Sequence, residues 1–266
     1  LTVGVQAGAP AGGSGTQYFV GNFDGATFTS ENPKKQVLWA DYGADFYAAQ
    51  GWNNTPGERP IWAAWMNNWQ YANVVPASTS RGSLTLPREL SLTSTPDGIR
   101  LRQAPIRELQ SLRAEPQQWR DVVISPGTNL LDGVSGELFE IRAEFAITQA
   151  MDADRLGFRI RTNQAGDEYT TVGYTLKSQT LFVDRTRSGQ ETFNSEFPAV
   201  HMAELEPIDG VVRLHILVDR SSIEVFANDG LVTMTDLIFP DSSSIGLVLF
   251  VDGGEVSANS LEVFGL

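Results

Sequence analysis

Apolar and polar residues alternate from the start of the chain. Leu1, Val3 and Val5 face one way and Thr2 and Gly4 the other, the period-two signature of a strand. TQYFVGNF and ATFTS flank Asp24-Gly25 and predict a hairpin. After Asp45, FYAA predicts a small apolar strand, and IWAAWM (61–66) reads as a strand buried on both faces. SLTLPREL and IRLRQAP, separated by the TPDG turn, predict two more. Near Pro105 the period changes: Ile106, Leu109 and Leu112 fall at helical spacing behind a proline suited to a first helical turn, which predicts one short helix. Beyond Gln117 come many short alternating runs, among them LFEIRAEFAI, RLGFRIRT, VRLHILVD and SIGLVLFV. They are punctuated by turns such as Asn228-Asp229-Gly230 and Asp252-Gly253-Gly254.

This pattern predicts an all-β chain in three parts. Residues 1–104 form compact up-and-down groups that suit the blades of a β-propeller, 105–116 form a helical linker, and 117–266 form an antiparallel β-sandwich. A strand pattern that begins at residue 1 suggests a piece that starts after a cut, or a mature N-terminus left by signal cleavage. Gly8 to Gly15 (GAPAGGSG) reads as a flexible loop and lacks the Lys-Ser/Thr ending of a phosphate loop.

Composition narrows the function. The 266 residues carry 19 basic and 32 acidic side chains, a formal charge of −13, which is the wrong sign for tracking nucleic acid or anionic lipid. No apolar run approaches the roughly 20 residues of a spanning helix. With no cysteine and two histidines, His201 and His215, outside any ligand spacing, the chain offers no material for a thiolate, a metal centre or a Ser-His-Asp triad. Neither cofactor nor metal is expected.

The chemistry concentrates between Trp39 and Leu90, which holds five of the six tryptophans together with Asp41, Asp45, Asn67, Asn68, Arg81 and Arg88. Flat rings beside amides and acids suit carbohydrate, which offers C–H faces to stack on and hydroxyls to hydrogen-bond. Asp41 and Asp45 are the natural acid/base candidates, but on a strand they would lie about 13 Å apart. Glycosidase carboxylates lie about 5 to 9.5 Å apart, so the pair does not fit without a bend. Either acid could instead bind sugar hydroxyls or cap a turn. Of the tryptophans, Trp62 reads as core and Trp69, beyond the apolar run beside Asn67, Asn68 and Gln70, is placed to face a ligand. The TRSGQETF run (186–193) reads as solvated surface.

The segments SGTQYFVGNFDG, DYGADFYAAQ, WMNNWQY, LPREL, DRTRSG and VDRSSIEVFANDG with its later IFP span nearly the whole chain. In this order they resemble the C-terminal part of glycoside hydrolase family 32, the invertases, exo-inulinases and levanases that cleave β-fructofuranosyl bonds. The resemblance implies the last blades of a five-bladed propeller followed by a sandwich, a retaining mechanism, a fructan (inulin or levan) or sucrose substrate, and an extracellular location. It also implies that Trp69 lines the fructosyl subsite, with Asp45, Tyr47, Trp65 and Asn68 as further substrate-binding residues. The family's WMNDPNG-like, RDP and EC motifs, which carry its nucleophile, transition-state-stabilising Asp and acid/base Glu, do not occur in these 266 residues. No catalytic residue is therefore assigned here, and the expected partner is the enzyme's N-terminal half, as a second chain. The alternative is a non-catalytic carbohydrate-binding or structural fragment.

Overall fold

The computed structural model describes residues 1–77, 81–148 and 152–266. The first unit consists of small antiparallel groups in a propeller-like arrangement. Strands β1 (Thr2–Val5) and β2 (Gly15–Tyr18) pair, as do β3 (Gly21–Phe23) and β4 (Phe28–Ser30) across the Asp24-Gly25 turn. Asp24 makes that turn by accepting hydrogen bonds from the amides of Ala26 and Thr27. A larger sheet orders β5 (Tyr47–Gly51), β6 (Ile61–Met66), β8 (Arg88–Thr95) and β9 (Gly98–Pro105), with β7 (Ser83–Leu84) also on β6. The apolar run IWAAWM is β6, and Trp62, Ala63, Ala64 and Met66 in it are buried. The opening strand forms as its alternation predicts, but Leu1 and Val3 stay exposed because β1 pairs with β2 alone.

The expected helix is shorter and tighter. Residues Arg107–Leu112 form a 3₁₀ helix with no buried residue, and Leu112 is exposed, so the helical spacing of Ile106, Leu109 and Leu112 buries no stripe.

The second unit has two antiparallel sheets. One orders β10 (Gln117–Ile124), β20 (Val256–Gly265), β11 (Phe139–Ala146), β16 (Val211–Asp219), β17 (Ser222–Ala227) and β18 (Val232–Leu237). The other orders β15 (Val200–Glu204), β14 (Thr180–Asp184), β13 (Thr170–Thr175), β12 (Arg155–Thr162) and β19 (Gly246–Asp252). Alternate residues of both sheets, such as Phe145, Ile216 and Val225 from one and Phe158, Tyr174 and Leu249 from the other, share one hydrophobic core.

The two units are joined through β18, whose outer edge would otherwise present unpaired backbone groups. The DYGAD segment (41–45) lies along this edge: the amides of Tyr42 and Asp45 donate to the carbonyls of Thr233 and Thr235. Gly43 allows the approach, since a Cβ there would fall 2.3 Å from the Thr235 backbone. Next to this seam Met66, Tyr71 and Val75 of the first unit pack with Phe197 and Leu237 of the second.

Candidate functional site

The DYGAD segment is bent rather than extended, so the strand spacing between Asp41 and Asp45 does not apply. Each carboxylate is sealed into a different buried ion-pair cluster. Arg88, from LPREL, donates to Asp41 Oδ2 at 3.0 Å and to Glu224 Oε2 at 2.7 Å, and its guanidinium lies over the Phe46 and Phe226 rings. Asp41 also accepts from the Thr235 amide and hydroxyl. Asp45 accepts from Arg185 Nη1 at 2.8 Å, the Leu237 amide at 2.8 Å and the Tyr71 hydroxyl at 2.7 Å. Arg185 also faces Asp236, which meets His201 Nδ1 at 2.6 Å.

The electrostatics match a structural clasp. Burial opposes the Arg185 charge, but Tyr71, Asp45 and Asp236 around it outweigh burial and hold the guanidinium protonated. Burial pushes the Asp45 carboxyl up against the pull of Arg185. Burial acts the same way on Asp236, where the His201 ring and Arg185 overcome it and lower the carboxyl. Among the described residues, all five buried carboxylates (Asp41, Asp45, Glu140, Glu224 and Asp236) are engaged by an arginine or a histidine.

Two of the expected substrate-binding residues lie beneath the surface of the chain. Asp45 is fully buried with both oxygens occupied. Asn68 is also fully buried; its Nδ2 donates to the carbonyls of Gly12 and Ala44, and its Oδ1 accepts from the amides of Ser14 and Gln70. These bonds shape the chain beneath Trp69. The GAPAGGSG loop is correspondingly a fitted part: a Cβ on Gly13 would strike Asn68 Oδ1 at 2.0 Å, and Ser14 Oγ accepts from the Trp69 amide.

The three aromatic candidates come together. Tyr47 and Trp65 are direct cross-strand partners on β5 and β6, their rings edge to face at 6.2 Å. After Met66 the chain turns at Asn67-Asn68, with the Tyr71 and Ala72 amides donating to the Asn68 carbonyl. This turn returns Trp69 to Trp65, ring centroids 4.9 Å apart and planes tilted by 51°. Tyr47 and Trp65 are half-buried, whereas Trp69 is 48% exposed. Trp62 is core, its Nε1 donating to Gln103 Oε1. The three rings form a partly exposed aromatic wall on a base of buried amides, an arrangement able to stack against sugar C–H faces.

Sequence reasoning missed Arg185 and its neighbourhood. The polar run that follows it is not simply solvated: Ser188 is buried, Phe193 packs edge to face on Tyr71, and Asn194 Nδ2 donates to the Gln70 carbonyl at 3.3 Å. The available signal was the arginine of DRTRSG directly after an apolar strand end, but its partners lie 114 and 140 residues away.

The sequence and the fold have counterparts among known proteins. Over its full length the chain is 47% identical to a levanase from Bacillus subtilis and 34% identical to an extracellular exo-inulinase from Aspergillus niger. It covers 39% and 51% of those proteins, so it spans about half the length, or less, of these curated relatives. The crystal structure of an exo-inulinase from Aspergillus awamori superposes with a TM-score of 0.89 at 33% identity, covering 100% of this chain and 53% of that one. Residues 1–105 match the N-terminal domain of the family 32 glycosyl hydrolases and residues 108–265 match the C-terminal domain. With both matches in order along one chain, on the fold that a solved exo-inulinase shares, the protein belongs to glycosyl hydrolase family 32.

Proposed function

We propose that the chain is part of a retaining β-fructofuranosidase that releases terminal fructosyl units from fructans, inulin or levan, or from sucrose, and that works outside the cell. The observation that carries the reading is the Tyr47–Trp65–Trp69 wall, in a chain whose relatives are named levanase and exo-inulinase. Trp69 is the platform for the fructose ring, with Trp65 and Tyr47 buttressing it. In this reading residues 1–104 are the last blades of a five-bladed propeller, 105–116 the linker, and 117–266 a β-sandwich. The catalytic carboxylates lie outside the 266 residues, in an N-terminal half carried by the same protein or by a second chain. The lack of WMNDPNG-like, RDP and EC motifs in the 266 residues supports that division, as does the sealing of Asp41 and Asp45, the acids of the aromatic stretch, in buried ion pairs.

The test is fructose release from levan, inulin and sucrose. The 266-residue chain alone should release none, and joined to an N-terminal family 32 segment it should turn over. Trp69→Ala should then lower kcat/KM about tenfold or more, the loss of one stacking contact of roughly 1.4 kcal/mol. Turnover by the isolated chain would overturn the division of labour, and full activity of Trp69→Ala would overturn the platform. The same ion pairing favours a second reading, a non-catalytic carbohydrate-binding fragment. Sugar binding that persists without turnover when the N-terminal segment is supplied would select it.

A further inference from the structure

The segment bearing Trp69 is gripped from both units. On the first-unit side Ser14 Oγ accepts from the Trp69 amide and Asn68 is locked between Gly12 and Ala44. On the second-unit side the grip falls on the next two residues. Asn194 Nδ2 donates to the Gln70 carbonyl at 3.3 Å. The Tyr71 hydroxyl accepts from Arg185 Nη2 at 2.9 Å while donating to Asp45 Oδ1 at 2.7 Å. Arg185 is itself immobilised: its Nε donates to the Phe197 carbonyl at 2.7 Å, and its guanidinium stacks 4.0 Å above the Phe197 ring. The Tyr71 ring stands edge-on against Phe197 and Phe193. Among the described residues, Trp69 makes no ring contact or hydrogen bond with these second-unit groups, and its ring packs on that of Trp65.

A half-exposed indole in the middle of a short turn keeps considerable rotational freedom unless its backbone is fixed. In the turn from Asn67 to Tyr71 the one apolar anchor is Tyr71, buried against Phe197 and Leu237 of the second unit, while Trp69 and Gln70 are exposed. Its orientation is therefore set by what holds its two ends, Ser14 and Asn68 at the near end and Arg185 and Asn194 at the far end. We propose that Arg185 and Asn194 of the second unit are positioning residues for Trp69, acting through the Tyr71 hydroxyl and the Gln70 carbonyl. The second unit thereby sets the angle of the sugar platform rather than merely shielding the propeller-like part. The ligand side of this inference rests on Trp69 as the fructosyl platform; the geometric side does not. A ring displaced by a fraction of an ångström loses its fit to the sugar face, and misplacement of this size costs about tenfold or more in binding or rate.

Two variants avoid emptying the buried arginine site. Asn194→Asp keeps an Oδ1 to accept from the Glu196 amide and replaces the donor to Gln70 with a carboxylate oxygen that the Gln70 carbonyl repels. Tyr71→Phe keeps the ring among the phenylalanines and removes only the hydroxyl. In the ¹H–¹⁵N spectrum of the 266-residue chain the six tryptophans give six indole signals, and Trp69→Phe identifies that of Trp69. Each variant is expected to shift the Trp69 indole signal while those of Trp52 and Trp119 stay in place. Each should also weaken 1-kestose binding, measured by calorimetry, about tenfold. Asn194→Asp should do so with a melting temperature within about 4 °C of the parent. An unmoved Trp69 signal in both variants overturns the inference, as does a uniform shift of all six signals with a matching fall in melting temperature. If Trp69→Ala binds 1-kestose as the parent does, or the parent does not bind it, the platform reading fails, and the indole shifts still decide whether the second unit orients Trp69.

Discussion

Arg88 and Glu224 are 136 residues apart in the chain and meet at 2.7 Å with neither side chain more than 3% exposed. The contact joins β8 of the first unit to β17 of the second, and the same guanidinium reaches Asp41 and the Thr235 hydroxyl. The two units are thus held by charges that no longer have water, and each charge depends on the others for solvation.

Removing Arg88 should therefore cost far more than a surface arginine. Arg88→Ala leaves Asp41 and Glu224 buried without their cation and is expected to destabilise the chain by about 3–5 kcal/mol. Arg88→Lys keeps the charge but loses the two-sided fork and should fall between Arg88→Ala and the parent. Chemical denaturation followed by tryptophan fluorescence measures both. A loss below about 1 kcal/mol for Arg88→Ala would assign the pair the small worth of an exposed ion pair.

A second buried acid makes the junction sensitive to pH. Burial pushes Glu140 up, but hydrogen bonds from His215 (2.6 Å) and from Nε and Nη2 of Arg113 outweigh it and hold the carboxyl down at about 2. A carboxylate below its ordinary value of 4.5 contributes its full stabilisation above pH 4.5 and loses it as pH falls through about 2. Because Arg113 caps the Arg107–Leu112 turn and ties it to β11 through Glu140, thermal melts between pH 4.5 and 2 should show the parent losing stability. Glu140→Gln should start lower and show a flatter profile over that window. Parallel profiles would remove Glu140 from the acid response.

Gly43 offers a steric test of the seam. A Cβ at this position would lie 2.3 Å from the backbone N and O of Thr235, and backbone does not yield as a side chain does. Gly43→Ala should cost about 1–3 kcal/mol. The cost should appear as separation of the units, read as faster proteolysis between β9 and β10. Unchanged cleavage there with a lowered melting temperature would place the strain within one unit instead.

The strands of the second unit were legible because alternation survives burial: β19 reads half-buried and buried in turn along its whole length, as its sequence GLVLFVD suggests. Trp62 as core and Trp69 as exposed were also readable, from an apolar run that stops at Met66. The roles of Asp41 and Asp45 were not. Their arginines come from β8 and from beyond β14, and local pattern carries no information about partners 47 and 140 residues away. Nor did composition show that a glycine-rich loop would be fitted around Asn68, because glycine marks flexibility and close approach alike.

The aromatic wall itself can be perturbed from a residue that has no ring. Gly82 lies at φ +106°, and a Cβ on it would come within 2.5 Å of Trp65 Nε1 and 3.3 Å of its Cδ1. Gly82→Ala must therefore displace the Trp65 indole, and Trp65 is the ring between Tyr47 and Trp69. Backbone strain at a positive φ contributes about 1–3 kcal/mol of its own, so the comparison variant is Gly98→Ala. Its φ is +109°, and its nearest neighbour at 3.4 Å is an Arg100 guanidinium nitrogen rather than a tryptophan. Two indoles 4.9 Å apart and tilted by 51° couple as chromophores and should give an exciton couplet in circular dichroism. That couplet should weaken in Gly82→Ala and Trp69→Phe and persist in Gly98→Ala, although both glycine variants lose similar stability. Equal couplets in the two glycine variants would mean that Trp65 accommodates the methyl group without moving, and that the wall is looser than its contacts imply.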